Sequence, residues 1–321
     1  MEAFEENRSQ DISLARVIDS LDLFFPDITQ NQIEFIYHGT YNVFEVKNKY
    51  IFRFPDRLFR NPKGFELIKN EVKMVNFIRE KVSVIIPEPI YISSELNNPF
   101  MGYKKINGIS LSKCFNEISN NSKFRIAETL GNFLSQLHSR DLVQQAINNK
   151  IIDIDFNSDK YRQDWQTYYK EICKFSFQLL NYNQKKWVQD LFMEFLGDNK
   201  NFDFTPTIVH GDFDTSNVLV DPTTFEVTGI IDFEESRIYD PAADFIFFRE
   251  GNLFLKKLLT AYQGIKDQNF EERMKFLYGC TCLHYIKFGI EHNYTDMIQA
   301  GLQMLKNIMS NFDSIKNKNY L

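Results

Sequence analysis

The stretch HGDFDTSNVLVDPTTFEVTGIIDFEES, from His210 to Ser236, says more about the fold than any other part of this 321-residue chain. Apolar runs surround its polar residues and predict short strands. These runs are 207–209, 218–220 and 227–231. Antiparallel strands joined by short turns bring their ends together. We therefore expect the side chains of Asp212, Asn217 and Asp232 to meet at one site.

The three side chains suit a specific chemistry. Asp212 offers a carboxylate that can orient or deprotonate a hydroxyl, while Asn217 and Asp232 offer an amide oxygen and a second carboxylate. Transfer of a nucleotide γ-phosphoryl group to an alcohol needs such groups, because the protein positions the hydroxyl and holds magnesium against the phosphates. The five-residue interval from Asp212 to Asn217 is also that of the protein-kinase catalytic loop. The pattern indicates a kinase.

The two acids, Asp212 and Asp232, have plainer explanations when each is considered alone. An Asp that follows a Gly, as Asp212 does, is usually a turn former. Asp232 is also compatible with a surface turn, although a carboxylate at the end of the apolar run 227–231 is costly to desolvate unless it binds a cation or several donors. Their spacing and their combination with Asn217 favour the catalytic interpretation.

Composition excludes several other classes of protein. The chain is 43% hydrophobic and 25% charged, with 32 Phe, which is typical of a soluble globular protein. Its net charge of −6 argues against a nucleic-acid partner and suits a cationic ligand. Four cysteines lack zinc or disulfide spacing and predict reduced thiols: Cys114, Cys173, Cys280 and Cys282. With no apolar run of about 20 residues and no secretory signal, we expect a cytoplasmic protein without a membrane partner. We also expect a monomer.

Periodicity predicts two lobes. In the first lobe, a helix at 10–25 precedes five strand-like runs, and an amphipathic helix is expected at 65–81. The strand-like runs are 33–37, 42–46, 50–54, 88–92 and 100–106. Beyond residue 107 the pattern is mainly helical, with predicted helices at 124–138, 161–180, 184–196, 241–248, 253–262, 270–290 and 295–312. We expect domains at 1–106 and 107–321, with a helical insertion at about 150–200.

Three motifs together resemble the aminoglycoside phosphotransferase family, and its 2″-phosphotransferase branch in particular. They are His210-Gly211-Asp212 with Asn217, Ile231-Asp232-Phe233, and Asp240-Pro241-Ala242-Ala243-Asp244. The resemblance extends from about Ile33 to Leu302. It implies a bilobal, protein-kinase-like α+β fold, with a small antiparallel β-sheet lobe carrying one helix and a larger, mainly helical lobe. It also implies ATP or GTP as phosphoryl donor, with Mg²⁺.

By matching position, the resemblance implies a role for each motif residue of the larger lobe. Asp212 would be the catalytic aspartate, and Asn217 and Asp232 would bind metal. Asp244 would be a structural acid that bonds backbone groups of the catalytic loop from the start of a helix, where carboxylates are favoured. His138, near the end of a predicted helix, is expected to be a packed structural histidine.

In the small lobe, the resemblance places Arg53 against the nucleotide phosphates, with Glu71 as its ion-pair partner. Arg53 stands where protein kinases have Lys, and its guanidinium can clamp phosphate through two bonds. The backbone at Lys104 and Ile106 would hydrogen-bond the purine. The expected phosphate-covering turn at 38–42 contains a single glycine, so an ordinary hairpin turn explains that segment equally well.

A cationic substrate needs carboxylates that are not bound to metal. The candidates are Asp214, Glu234, Glu235, Glu250 and Glu291. Glu235 and Glu250 match acidic positions of the 2″ branch, although each of the five alone is typical of a solvated surface acid. The chain reads Asp-Phe-Glu-Glu where many relatives have Asp-Phe-Gly-Asp, so the extra carboxylate either strengthens cation binding or marks a different acceptor.

The leading hypothesis is therefore an aminoglycoside O-phosphotransferase that confers antibiotic resistance, with the 2″-hydroxyl as the favoured acceptor. The nearest alternative is a kinase of another small alcohol on the same fold, such as a macrolide, homoserine, choline or a sugar. A third alternative is a non-catalytic nucleotide-binding protein. The presence of all three oxygen-bearing side chains argues against this last alternative.

Overall fold

The computed structural model describes residues 9–56, 63–93, 95–152 and 156–320. They divide into two compact units, one drawn from 1–117 with 215–236, and the other from 118–214 with 237–321. The stretch 215–236 thus belongs to the first unit, although it lies far along the chain. A division at residue 106 and a helical insertion at about 150–200 remain predictions.

The first unit is built on a five-stranded antiparallel sheet with the strand order β1-β2-β3-β5-β4. Its strands are β1 Ile33–His38, β2 Tyr41–Val46, β3 Tyr50–Pro55, β4 Pro89–Ile92 and β5 Met101–Lys104. All five predicted strands are confirmed, with small shifts of their ends. Strand β2, which lies between β1 and β3, is buried along its whole length, because both faces of the sheet are covered.

Each face of this sheet carries its own apolar cluster. On one face, Val17 and Leu21 of helix α1 (Leu14–Leu21) pack with Phe44 and Phe52 of the sheet. On the other face, Ile68 of helix α2 (Lys63–Ile78) packs with residues of β2 and β5, among them Tyr41 and Met101. The sheet is therefore held between apolar groups on both sides, which fixes the direction of each strand side chain.

A smaller sheet completes the first unit. It pairs β6 (Ile109–Ser110) with β8 (Val218–Val220), and β8 with β9 (Val227–Ile230). A short helix, α3 (Leu111–Cys114), follows β6. The Ile230 N–H donates to the Ile85 carbonyl at 2.9 Å. Gly229 lies so close to Ile106 that an added Cβ would be 2.7 Å from that side chain. The β8–β9 hairpin is thus attached to the segments next to the five-stranded sheet.

The second unit is mainly helical. Its helices are α4 Asn120–Leu137, α5 Arg140–Asn148, α6 Ser158–Glu171, α7 Tyr182–Gly197, α8 Asn252–Ala261, α9 Phe270–His292 and α10 Thr295–Lys316. Two short strands, β7 (Thr207–Val209) and β10 (Arg237–Tyr239), pair with each other. Among the helices of the described residues, none has the length and apolar character needed to cross a membrane.

Aromatic side chains fill the core of the second unit. Phe195 of α7 stacks on Phe276 of α9 with ring centroids 3.6 Å apart, and Trp165 of α6 contacts Phe276 edge-on at 4.8 Å. Helices α9 and α10 approach closely at Gly301, where an added Cβ would be 2.9 Å from the Ile286 backbone nitrogen. The high Phe content therefore serves packing between helices.

Several predicted helices differ from the observed ones. Only a short 3₁₀-helix, Pro241–Phe245, forms where 241–248 was predicted as helix. The predicted helix 161–180 leaves the α-conformation after Glu171 and continues as a π-helix at Ile172–Ser176. Helix α5 was not predicted, because its sequence is polar and only Leu142 and Ala146 of it are buried. Strand β10 was also missed, because three residues carry too little periodicity.

Candidate active site

Arg53 is the centre of an ionic cluster in the first unit. It lies on β3, and its side chain is 3% exposed. Its Nη1 donates to Oε1 of Glu71, on α2, at 2.5 Å. Its Nη2 donates to Oδ1 of Asp232 at 2.6 Å and approaches Oε2 of Glu234 at 3.5 Å. The structure therefore brings together the predicted phosphate-binding Arg53, its predicted ion-pair partner Glu71, one predicted metal ligand and one predicted substrate acid.

Tyr41 completes this cluster and was missed in the sequence analysis. The Arg53 guanidinium lies over the Tyr41 ring, 4.1 Å from its centroid. The Tyr41 hydroxyl also faces Oε2 of Glu71 at 3.5 Å. Burial and the nearby Glu71 charge raise the pKa of Tyr41 well above its ordinary value, so the phenol stays protonated. The only local signal for this contact is that Tyr41 begins β2, which pairs with the strand β3 that carries Arg53.

Three carboxylates share the one guanidinium. Burial lowers the pKa of an arginine, but Asp232 and Glu71 hold the pKa of Arg53 well above its ordinary value. Burial, together with the charge of Asp232, raises the pKa of Glu234 well above its ordinary range. Carboxylates of like charge in a buried space resist ionisation. The cluster therefore contains more carboxylates than its guanidinium can neutralise, which favours the binding of a further cation.

The pKa of Glu71 leads to a prediction about stability. Burial raises this pKa from 4.5 to about 7, although Arg53 acts to lower it. Because the folded protein then binds the proton more tightly than the unfolded chain, the stability that Glu71 contributes is greatest below about pH 4.5 and is lost as the pH rises towards 7. We expect Glu71→Gln to remove this part of the decline when urea unfolding is measured at about pH 5 and about pH 8. An unchanged pH profile in the variant would contradict the assignment.

Asn217 and Asp232 lie at the same end of the β8–β9 hairpin. The Ile231 N–H donates to the main-chain oxygen of Asn217 at 3.0 Å, and Asp232 follows directly. Asp232 adopts a left-handed φ of 70°, which turns the chain sharply after β9. Carboxylate and amide oxygens are donors that Mg²⁺ prefers, and it commonly binds through one or two carboxylates. This donor set, next to a surplus of carboxylates, fits a magnesium ion.

Asp212 belongs to the second unit, on the loop that follows β7. His210 and Phe213, on either side of it, are buried, whereas Asp212 is exposed. The Phe213 ring packs against Phe133 and Phe247 with centroids 5.6 and 5.5 Å apart. The loop is thus anchored by its apolar residues. This anchoring leaves the Asp212 side chain exposed to solvent.

Asp244 holds the backbone of this loop. Its Oδ2 accepts from the His210 N–H at 2.7 Å, and its Oδ1 accepts from the Gly211 N–H at 2.9 Å. His138 Nε2 donates to Oδ2 at 3.0 Å. Burial acts to raise the pKa of Asp244, but His138 and the loop N–H groups hold it below its ordinary value. The carboxylate therefore stays ionised and fixes Gly211, whose φ of 90° only glycine adopts freely.

His138 has a larger part in this arrangement than packing. Its Nδ1 lies 3.0 Å from the Tyr262 hydroxyl, so the ring links Tyr262 to Asp244. Only a packing role was predicted for His138. The available signal was a His near the end of a helix, together with an Asp in a downstream motif, and the pairing of the two was not apparent.

The contact between the Tyr262 hydroxyl and His138 leads to a second prediction. Tyr262→Phe removes the hydroxyl that faces His138, and leaves a buried ring nitrogen without that partner. We expect a loss of about 1–3 kcal/mol in the free energy of unfolding, with a lower kcat. Tyr320→Phe is a matched control, because it removes a 3.0 Å bond to Asn252 elsewhere in the same unit. Urea unfolding and steady-state kinetics of both variants test this. Equal kcat values in the two variants would contradict a role in positioning the loop.

Asp240, the other acid of the Asp-Pro-Ala-Ala-Asp motif, has a separate structural role. It accepts from Arg273 Nε at 2.8 Å and from the Tyr161 hydroxyl at 3.0 Å. Arg273 also forms a two-bond pair with Asp267, at 2.7 Å for each bond. This buried network ties α6 and α9 to the 3₁₀-helix that carries Asp244. This role of Asp240 was not predicted from the motif.

The remaining predicted residues lie in several places. In the first unit, Lys104 ends β5 opposite Tyr50, with its side chain exposed, and Glu235 is also exposed. In the second unit, Asp214 and Glu250 are half-buried. Glu291 bonds Lys287 at 2.6 Å. Of the five candidate substrate acids, the contacts thus place Glu234 with Arg53, and Glu291 with a lysine.

Comparison with known proteins assigns the chain to a class. The profile of the Phosphotransferase enzyme family (APH) matches residues 32–275, which is well over half of the chain. The protein belongs to this family.

Solved structures share the fold. The GDP complex of wild-type aminoglycoside 2'-phosphotransferase-IIIa is similar with a TM-score of 0.81 at 22% identity, over 92% of this chain and 98% of that one. The streptomycin–ATP complex of APH(2″)-IIa gives 0.65 at 22% identity, over 94% and 99%. Macrolide 2'-phosphotransferase MphH from Brachybacterium faecium gives 0.66 at 15% identity, over 91% and 98%. The expected kinase-like fold, a five-stranded antiparallel sheet followed by a larger helical part, is confirmed.

Proposed function

We propose that this phosphotransferase transfers the γ-phosphoryl group of ATP or GTP to a hydroxyl of an aminoglycoside antibiotic, with the 2″-hydroxyl as the favoured acceptor. The observation that carries the proposal is the Arg53 cluster, where a buried guanidinium is held by Glu71 and Asp232 on the fold of nucleotide-dependent antibiotic kinases. The two similar aminoglycoside enzymes are described as complexes with GDP or with streptomycin and ATP, which supports a nucleotide donor and a cationic acceptor.

In this mechanism, Asp212 orients the acceptor hydroxyl and takes its proton as the phosphoryl group is transferred in line. Asn217 and Asp232 would hold Mg²⁺, which when bound neutralises the phosphates. Arg53 braces the phosphates, and Glu71 keeps its guanidinium in place. Asp244 fixes the backbone that carries Asp212.

The purine of the nucleotide and the aminoglycoside acceptor would be bound by other groups. Backbone atoms at Lys104 and Ile106 are proposed to bind the purine. Asp214, Glu235 and Glu250 are the proposed contacts of the cationic acceptor. Glu234 is better suited to the phosphate and metal region, because it already faces Arg53. Glu291 would need to exchange Lys287 for the substrate's ammonium groups.

A panel of acceptors tests the proposal. Purified protein with ATP or GTP and Mg²⁺ is expected to consume nucleotide in the presence of kanamycin- or gentamicin-type aminoglycosides, and mass spectrometry should find one added phosphate. Asp212→Ala is the inactive control. A sensitive bacterium that expresses the chain should survive higher aminoglycoside concentrations than one that expresses Asp212→Ala. Failure with every aminoglycoside would overturn the substrate assignment.

A second candidate is a kinase of another small alcohol. The structural similarity to macrolide 2'-phosphotransferase MphH specifically favours a macrolide. Homoserine, choline and sugars belong in the same assay. Nucleotide use that depends on one of these and on no aminoglycoside would select this candidate, whereas nucleotide binding without transfer to any acceptor would favour a non-catalytic protein.

A further inference from the structure

Three side chains of the first unit converge near the turn between β1 and β2, apart from the Arg53 cluster. His38 ends β1, Asp56 follows β3, and Asp11 precedes α1. Within the described ranges, they form a group of potential ligands whose ligand atoms all lie within 4.8 Å of one another. His38 and Asp56 are buried, and the Asp11 side chain is only 12% exposed. No role in the proposed phosphoryl transfer falls on this group.

Both ring nitrogens of His38 face oxygen atoms. Nδ1 lies 2.6 Å from the main-chain oxygen of Ser9, which can only accept, so Nδ1 carries a hydrogen. Nε2 then faces Oδ2 of Asp56 at 2.5 Å and Oδ1 of Asp11 at 3.8 Å. A lone pair directed at carboxylate oxygens is repulsive. A cation, either a proton or a metal ion, must therefore lie between Nε2 and these carboxylates.

The surroundings of the group match those of a metal site. A histidine that binds metal usually donates its other N–H to a backbone carbonyl or a carboxylate, as His38 does to Ser9. The Asp11 carboxylate is also oriented, because Asn42 Nδ2 donates to its Oδ1 at 2.6 Å and Asn42 Oδ1 accepts from the Asp11 N–H at 2.9 Å. These contacts hold an imidazole and a carboxylate ready for an ion.

The spacing of the donors suits a small tetrahedral cation. Zinc–ligand bonds of about 2.0–2.2 Å separate neighbouring ligands by about 3.4 Å. The 3.8 Å separation from His38 to Asp11 is close to that value. The 2.5 Å separation from His38 to Asp56 is that of a hydrogen bond, so zinc would replace the shared proton and move these two ligand atoms further apart. One imidazole and two carboxylates form a mixed nitrogen and oxygen set, which zinc accepts more readily than magnesium does.

We propose that His38, Asp56 and Asp11 bind a zinc ion. Bound zinc fastens the segment that precedes α1 to the turn at 38–42 and to the end of β3. Its role is structural, because none of its ligands belongs to the Arg53 cluster or to the loop of Asp212, although His38 begins the turn that is expected to cover the phosphates.

Metal titration of the full chain tests the proposal. After treatment with a chelator, Zn²⁺ added in excess Mg²⁺ is expected to bind at one equivalent and to raise the melting temperature, and Co²⁺ should give the absorption bands of a tetrahedral site. His38→Gln should abolish both effects. Asp11→Asn keeps the size of the side chain and its bonds to Asn42, so it should fold, and it should weaken Zn²⁺ binding by about 10-fold or more.

Two controls separate this site from other sources of binding. Asp232→Asn removes the predicted magnesium ligand, and His292→Gln removes an imidazole from the second unit. Both variants should keep the one equivalent of zinc. If the unaltered protein binds no zinc, a proton holds the His38 cluster and the proposal is overturned. Equal zinc affinity in the unaltered protein and in Asp11→Asn would overturn it as well.

Discussion

Asp212→Asn is expected to lower kcat by about 10²- to 10⁴-fold, which is the usual contribution of a positioned general base. The amide keeps the size of the side chain but cannot accept the acceptor's proton. Nucleotide affinity should change little, because Arg53, Glu71 and Asp232 are intact. Steady-state kinetics and nucleotide titration measure the two quantities separately.

The design of this test uses the exposure of Asp212. Because the side chain is exposed while His210 and Phe213 anchor the loop, the substitution should leave the free energy of unfolding nearly unchanged. Asp203→Asn is a matched control, since it neutralises an exposed aspartate of the same unit. Near-normal turnover by Asp212→Asn would contradict the assignment of Asp212 as the general base.

Arg53→Met should have the largest effect on stability. Removal of one partner of a buried ion pair typically costs about 3–5 kcal/mol, because the other charge is left uncompensated. Here the carboxylate of Glu71 is left buried beneath the sheet, and Asp232 and Glu234 lose the same partner. Transfer activity should be lost too, because the guanidinium that braces the phosphates is absent. Urea unfolding and nucleotide titration are the measurements.

A double variant separates the two effects. Replacement of a buried ion pair by apolar residues is often close to neutral for stability, so Arg53→Met with Glu71→Leu should recover much of the lost stability and yet stay inactive. Arg273→Met offers a comparison, because Arg273 is equally buried but pairs with Asp240 and Asp267. It should destabilise the protein without weakening nucleotide binding to the folded fraction. Active double-variant protein would contradict the role of Arg53.

Much of the fold could be predicted from local patterns. Short strand-like runs bounded by turns were enough to place all five strands of the larger sheet, and the 3.6-residue period placed long helices such as α4 and α9. The helix predictions were wrong where the local helical pattern did not decide the backbone conformation. At 241–248, Asp240 and Asp244 direct their carboxylates inward, and only a short 3₁₀-helix forms. At Ile172 the α-helix changes to a π-helix, which the apolar periodicity of the sequence does not indicate.

The candidate site was predictable only in part, because some of its contacts depend on how distant elements pack. The motifs named Arg53, Glu71, Asp232 and Asp244, but the sequence gives only a weak local signal for Tyr41 and none for Tyr262. A tyrosine on an apolar strand or helix is usually core material. Its hydroxyl becomes part of a site only when another element places a partner opposite it.

The sequence by itself determined the spacing of Asp212, Asn217 and Asp232 and the alternation of strands and turns around them, since these depend on neighbours along the chain. Tertiary structure alone decided that Arg53 bonds Asp232, 179 positions away, and that His138 bonds Asp244, 106 positions away. The physical reason is that periodicity reports which face of an element is buried, whereas the partner on that face depends on how elements pack. Burial then sets the charge state of each acid, as the raised pKa of Glu71 and the lowered pKa of Asp244 illustrate.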